Sequence, residues 1–256
     1  MLGVVAVVVS GTVVLFTTSS TPSGSSSVSP SAKRLLEVSL SAARRAGTFH
    51  YESSFASQGA IQHTVGDAGP DSGRQVISIG PHSFTVLVVG TACYFAGDAV
   101  SAQSQLGLSA VVAEAHAGQW LSLSPSDRPY RAVYEAVTAS SALTDNIAFK
   151  PQHELGTSTI GARTVRSIRG AMTDFSVGGQ VQRARGAAQF ELAASMPHVP
   201  VRYSEHGSIN GQRVDFAMLF SHWGERVDVV APGSAVSFSS LGPENPPGPP
   251  GPTTLV

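Results

Sequence analysis

The residues that could support catalysis in this chain are isolated from one another. Its eight histidines are scattered, and no two have the i, i+4 spacing of a helical zinc site. His153-Glu154 begins like such a motif, but Thr157 occupies the position of the second histidine. His222 lies far along the chain from His50 and Glu52, so these three side chains can meet only through the tertiary structure.

Other catalytic signatures are missing too. There is no G-x-S-x-G, no phosphate-binding G-x-x-x-x-G-K-[ST], and no close carboxylate pair among the 17 acidic residues. The single cysteine, Cys93, lies in an apolar run, which is typical of a small buried hydrophobic residue rather than a nucleophile. We therefore predict a non-enzymatic protein with no catalytic residue, no metal site and no cofactor.

The low charge content argues against binding to nucleic acid or to an anionic membrane surface. Charged residues make up 13% of the chain, about half the usual share, and the formal net charge is -1. No basic field is available to hold nucleic acid or an anionic membrane surface. We predict no nucleic-acid partner.

The first residues carry a localisation signal. Leu2–Phe16 is almost wholly apolar but shorter than the ~30 Å hydrocarbon core, and a Ser/Thr/Pro/Gly-rich stretch follows it. Residues 1–18 are predicted to be a signal peptide or an N-terminal membrane anchor, and residues 19–30 a flexible linker. The protein is therefore expected outside the cytoplasm, in the cell envelope or secreted. No cysteine follows the apolar run, so a lipidated cysteine there is excluded.

Strands are predicted from a period-two alternation, which is clearest between Phe190 and Phe220. Asn210-Gly211 is the strongest short hairpin signal, because both residues tolerate positive φ. A closing strand is predicted over Val227–Val230. With further strands upstream, the pattern predicts an α+β fold: a single strongly curved antiparallel sheet, a half-barrel of about 8–11 strands, with helices covering the concave face.

Helices are predicted over Ala32–Ala46, with Ser31 as N-cap and Gly47 after the end, over two pieces of 98–117, and over Pro129–Val137. The stretch GDAGPDSG, between two strands, is expected to be a loop by composition.

We predict one half-barrel domain over residues 31–233 and a disordered Pro/Gly-rich tail over residues 234–256. A curved sheet that does not close leaves space beneath its covering helices. That space can hold a ligand, or ordinary core packing can fill it, and the residues alone leave both alternatives open.

Three segments resemble the actinobacterial LprG/LppX-type lipoproteins, which belong to the wider LolA/LolB-like lipid-carrier fold. They are 92–127, with its Ala-rich helices and G-x-W strand; 156–170, a turn-centred strand pair; and 197–232, with PVRY and FSHWGERVDVVAP. The chain departs from the family in lacking the lipidated cysteine and in having Arg226 where a proline is usual.

The resemblance implies a half-barrel whose helices enclose a cavity for the acyl chains of lipids or lipoglycans. Carried over to this chain, the apolar residues of the strands and helices would line that cavity. These are Phe84, Val86, Val88, Leu106, Leu108, Val111, Val112, Val133, Val137, Phe190, Leu192, Phe216 and Met218.

We therefore expect an extracytoplasmic binding or carrier protein for a lipid or other amphiphile. It would be a monomer that contacts the membrane through its N-terminal segment. The alternative is a cell-envelope protein-interaction module of the same fold with a filled cavity.

Overall fold

Most of the chain folds into one large sheet with a few short helices. The structure, a computed structural model, describes residues 29–135, 137–139, 143, 149–177 and 180–242. The predicted segment 1–18 and most of the predicted linker lie outside the described residues. No helix within the described part of the chain is long and apolar enough to cross a membrane.

The helices and strands have the following bounds. The helices are α1 Pro30–Ala46, α2 Ala99–Leu106, α3 Ala110–Ala115, α4 Tyr130–Glu135 and a 3-10 helix Phe238–Leu241. The strands are β1 Phe49–Ser57, β2 Ala60–Ala68, β3 Ser72–Ile79, β4 His82–Val89, β5 Ala92–Gly97, β6 Leu121–Leu123, β7 Phe149–Ile160, β8 Arg163–Met172, β9 Phe175–Val177, β10 Gln180–Gln182, β11 Ala184–Ala193, β12 Pro200–Ile209, β13 Gln212–Ser221 and β14 Val236–Ser237.

The main sheet is curved and unclosed. Its strand order is β14-β6-β5-β4-β3-β2-β1-β13-β12-β11-β8-β7, so β14 and β7 are its two edges. All neighbours are antiparallel except β14 and β6, which run parallel. The twelve strands described in the main sheet exceed the 8–11 expected, and β9 and β10 form a separate two-stranded hairpin.

Short sequence motifs predicted the β12–β13 turn and the end of the first helix. Asn210 and Gly211 have φ of 52° and 83° and connect β12 to β13, as predicted. Gly47 ends α1 in the left-handed region, and its N–H donates to the Ala43 carbonyl at 3.0 Å. The start of α1 differs from the prediction: Ser29 is the N-cap and Pro30 is the first helical residue, where its missing N–H costs nothing.

The loop predicted from composition at 66–73 is shorter in the structure than we expected. β2 continues to Ala68 and β3 begins at Ser72, with the Gly69 N–H bonded to the Ser72 carbonyl at 2.7 Å. Glycine lowers strand propensity but does not forbid a strand, and here two glycines lie where other side chains need the space.

The segment after β13 also differs from the prediction. Val227–Val230 forms no strand; residues 222–235, which we call the strap, lead from β13 across the sheet to β14. β14 pairs with β6, and Phe238 is buried. The domain therefore extends past Gly233, and the prediction of a disordered tail was wrong for residues 234–242.

The buried apolar side chains form two clusters. The α1 cluster joins α1 to β1, β7, β8 and β11–β13, and the α2–α4 cluster joins those helices to β3–β6. Each group of helices thus packs on its own part of the sheet, and the boundary between the clusters runs near β2 and β3.

Candidate functional site

Both clusters lie on the same face of the sheet, which we call the inner face. One row of directly paired residues shows this: Phe220, Tyr51, Gly66, Gln75 and Val86 are neighbours across β13, β1, β2, β3 and β4. Successive side chains of a strand alternate between faces, so every second residue from these positions also points inward. The inner face is the candidate ligand-binding surface.

The structure brings most of the predicted lining residues onto this face, in two groups. Phe84, Val86, Val88, Leu106, Leu108, Val112, Val133 and Val137 belong to the α2–α4 cluster or pack against it. Phe190, Leu192, Phe216 and Met218 belong to the α1 cluster or pack against it. Whether they enclose a ligand cavity stays a prediction.

Val111 is the exception. Its side chain is 81% exposed and packs against neither cluster, because α3 turns it toward solvent while Ala113 is buried. The structure therefore does not bring Val111 together with the other predicted lining residues.

A polar contact marks the boundary between the clusters. The Tyr51 ring lies directly over Gly66, and its hydroxyl donates to Gln75 Oε1 at 2.8 Å, with both side chains buried. Burial, with a smaller contribution from Asp67, holds the pKa of Tyr51 well above its ordinary value. Beside it, Val137 occupies the space in front of Gly73. Glycines here make room for side chains from neighbouring elements.

Glu205 is an inward-facing carboxylate that sequence reasoning missed. It follows Tyr203 by two residues on β12, pairs across the sheet with Phe216 and Ala188, and accepts a hydrogen bond from the Tyr203 hydroxyl. Burial raises the pKa of Glu205, against the opposing effect of that hydrogen bond. The alternation of β12 could have placed Glu205 inward, because Val201 and Tyr203 share its parity.

Cys93 behaves as predicted. It is buried in β5 with no disulfide, and burial raises the pKa of its thiol to about 12. A thiol so far from ionisation is not a nucleophile at neutral pH.

The opposite, outer face carries a groove of about 780 Å³ beneath the strap. Its walls include His50, Asp67 and Arg74 from the sheet, Trp120, and the strap residues from 225 to 230. His50 Nδ1 is 2.8 Å from Asp67 Oδ1. The groove places open volume on the outer face, whereas the sequence predicts a cavity on the inner face.

His50, Glu52 and His222 do meet on this outer face. His50 Nε2 is 3.8 Å from Glu52 Oε1, and the His50 and His222 rings are 5.6 Å apart. Within the described ranges, however, no group of three such side chains has the geometry to hold a metal ion.

No protein-family model matches the chain, and no curated protein sequence matches it. Solved structures do. LprF from Mycobacterium bovis is 15% identical with a TM-score of 0.50, over 81% of this chain and 100% of that one. The Mycobacterium tuberculosis lipoprotein LppX is 15% identical with a TM-score of 0.48, over 78% and 99%. A LolA superfamily protein from Nitrosomonas europaea is 12% identical with a TM-score of 0.29, over 75% and 91%. The likeness to LprF shows that this chain shares its fold, a large unclosed and mostly antiparallel sheet with few helices.

Proposed function

We propose that this protein binds and carries a lipid or other amphiphile without catalysing a reaction, and that the apolar chain of the ligand lies on the inner face. The observation that carries the proposal is the division of the apolar interior into two clusters under separate helices, on a sheet that does not close. An apolar chain can be held between two such covers without disrupting the sheet.

The energetics favour an apolar chain as the ligand. Removing a C16 chain from water gains roughly 10 kcal/mol before ordering costs, at ~0.8 kcal/mol per CH₂. The fold shared with LprF and the sequence resemblance to LprG/LppX-type lipoproteins support the same function.

The proposal is tested by uptake of a fluorescent C16 fatty acid by the purified full chain, with native mass spectrometry for co-purified lipid. Phe216→Asp places a charge on the half-buried part of the inner face, and we expect it to weaken uptake at least about tenfold. Leu219→Asp is the matched control, because Leu219 lies on the same strand but faces outward and is exposed. Equal uptake by the two variants would refute binding on the inner face, and a parent chain that takes up no probe and carries no co-purified lipid would refute the carrier function.

A second candidate is a cell-envelope interaction module with a filled interior. It is favoured by the complete burial of Val88, Phe190 and Leu192 within packed clusters. Lipid-free purified protein that takes up no amphiphile, yet remains fully folded, would select this alternative.

We further propose that the protein acts outside the cytoplasm as a monomer, with residues 1–18 as signal peptide or anchor. Mass spectrometry of the mature N-terminus after expression with its own leader distinguishes cleavage from anchoring.

A further inference from the structure

Glu205 lies in surroundings that do not suit a carboxylate. Its cross-strand neighbours on the inner face are Phe216 and Ala188, and both belong to the α1 cluster or pack against it. Tyr203, two residues earlier on the same strand face, is fully buried. Glu205 itself is only half-buried, so it remains reachable from the inner face.

The charge of Glu205 has no cation beside it within the described part of the chain, where its one hydrogen bond comes from the Tyr203 hydroxyl. Glu154 provides the contrast. It pairs across the sheet with the inward-facing Ile168, and its carboxylate is bound by Arg166 Nε at 3.2 Å. The sheet can therefore supply an arginine to an inner-face carboxylate, and it does not do so at Glu205.

An uncompensated carboxylate among apolar side chains is costly, and burial raises its pKa accordingly. Satisfying the Tyr203 hydroxyl does not require that cost, since a neutral acceptor such as glutamine would serve equally well. A charge retained in such a place is typical of a binding site, where the ligand supplies the missing partner.

We propose that Glu205 is the polar recognition residue of the inner face, and that it accepts hydrogen bonds from a ligand whose polar group carries N–H or O–H donors, an ammonium above all. This inference rests on the proposed binding of an amphiphile. Phe216, next to Glu205, would contact the part of the apolar chain adjoining that polar group.

The test compares C16 probes that share a chain and differ in the polar group: hexadecylamine, hexadecanol and methyl hexadecanoate, which lacks a donor. Each is titrated, below its micellar concentration, against a fluorescent C16 alcohol bound to the full chain. We expect the parent protein to prefer the amine over the ester by about 10- to 100-fold, with the alcohol between them, as one charge-assisted hydrogen bond allows. In Glu205→Gln this preference should fall to within about threefold, while ester affinity stays the same or improves.

Two control variants separate recognition from structure. Glu154→Gln removes the carboxylate that is already paired with Arg166 and should leave the preference intact. Tyr203→Phe removes the hydroxyl but keeps the carboxylate, and it should also preserve the preference. If Glu205 only serves as the acceptor of the Tyr203 hydroxyl, then Glu205→Gln will leave the amine-to-ester ratio unchanged.

The outcomes distinguish the two levels of the proposal. Displacement by all probes with no amine preference, or with a preference that survives Glu205→Gln, overturns the role of Glu205 and leaves the carrier function standing. Failure of every C16 probe to bind the parent chain overturns the carrier function, and the role of Glu205 with it.

Discussion

Replacing Gly66 by alanine should destabilise the domain strongly, because the Tyr51 ring occupies the space that a side chain would need. A Cβ at Gly66 would lie 2.6 Å from Tyr51 Cζ and 2.7 Å from its hydroxyl oxygen. The backbone itself would accept alanine, since Gly66 is not among the glycines with positive φ. The cost is therefore steric.

The magnitude follows from two effects. Displacing a buried ring in a packed interior costs about 1–3 kcal/mol. Moving the Tyr51 hydroxyl away from Gln75 leaves a buried amide oxygen without its donor, which costs about 1–3 kcal/mol more. We expect a total loss of roughly 2–6 kcal/mol, a large fraction of the about 5–15 kcal/mol by which domains are stable.

The assay is urea unfolding followed by tryptophan fluorescence, with Gly233→Ala as the control. A Cβ at Gly233 meets nothing within 4 Å, so that variant should be neutral or slightly stabilised. In a Tyr51→Leu background, which removes the ring, Gly66→Ala should cost less by about 1 kcal/mol or more. A loss below about 0.5 kcal/mol for Gly66→Ala alone, or strict additivity with Tyr51→Leu, would refute the reasoning.

Three further predictions concern stability. Burial raises the pKa of Glu205 in the folded state. The contribution of Glu205 to the free energy of unfolding is therefore fully present below its unfolded-state pKa and is lost as the pH rises through its folded-state pKa. Glu205→Gln should stabilise the domain more at neutral pH than at acidic pH, and urea midpoints that shift equally at both pH values would contradict this. Phe238→Ala should cost about 3–5 kcal/mol because the ring is 4% exposed within the α2–α4 cluster, whereas a dispensable tail would give an unchanged thermal midpoint. Asp98→Ala removes the carboxylate that accepts from the Ser101 N–H at 2.7 Å and should cost about 1 kcal/mol; Asp98→Asn, which keeps an acceptor, should recover most of it in the same urea titration.

The local elements of this fold could be predicted because their signals are local. The Asn210-Gly211 turn depends on residues that accept positive φ, and the end of α1 at Gly47 depends on the same property. Period-two alternation likewise placed Phe190 and Met218 on one face of their strands. Such signals are complete within a few residues.

The misassigned segments required contacts between distant parts of the chain. Val227–Val230 alternates like a strand, but the neighbouring sheet positions are filled by other strands, and it passes over the outer face instead. Val236–Ser237 shows no strand signal of its own. It pairs with β6 because the strap ends beside that strand, which joins Val236 to Ser122 across 114 residues of sequence.

The sequence by itself determined that the chain would form a largely antiparallel sheet with two distinct faces and a few helices. Only the tertiary structure decided which neighbours each inward residue has. It placed Tyr51 over Gly66, left Val111 in solvent, and put Glu205 beside Phe216. Alternation specifies a face of a strand, whereas strand order and register, which join residues far apart in sequence, specify what that face meets.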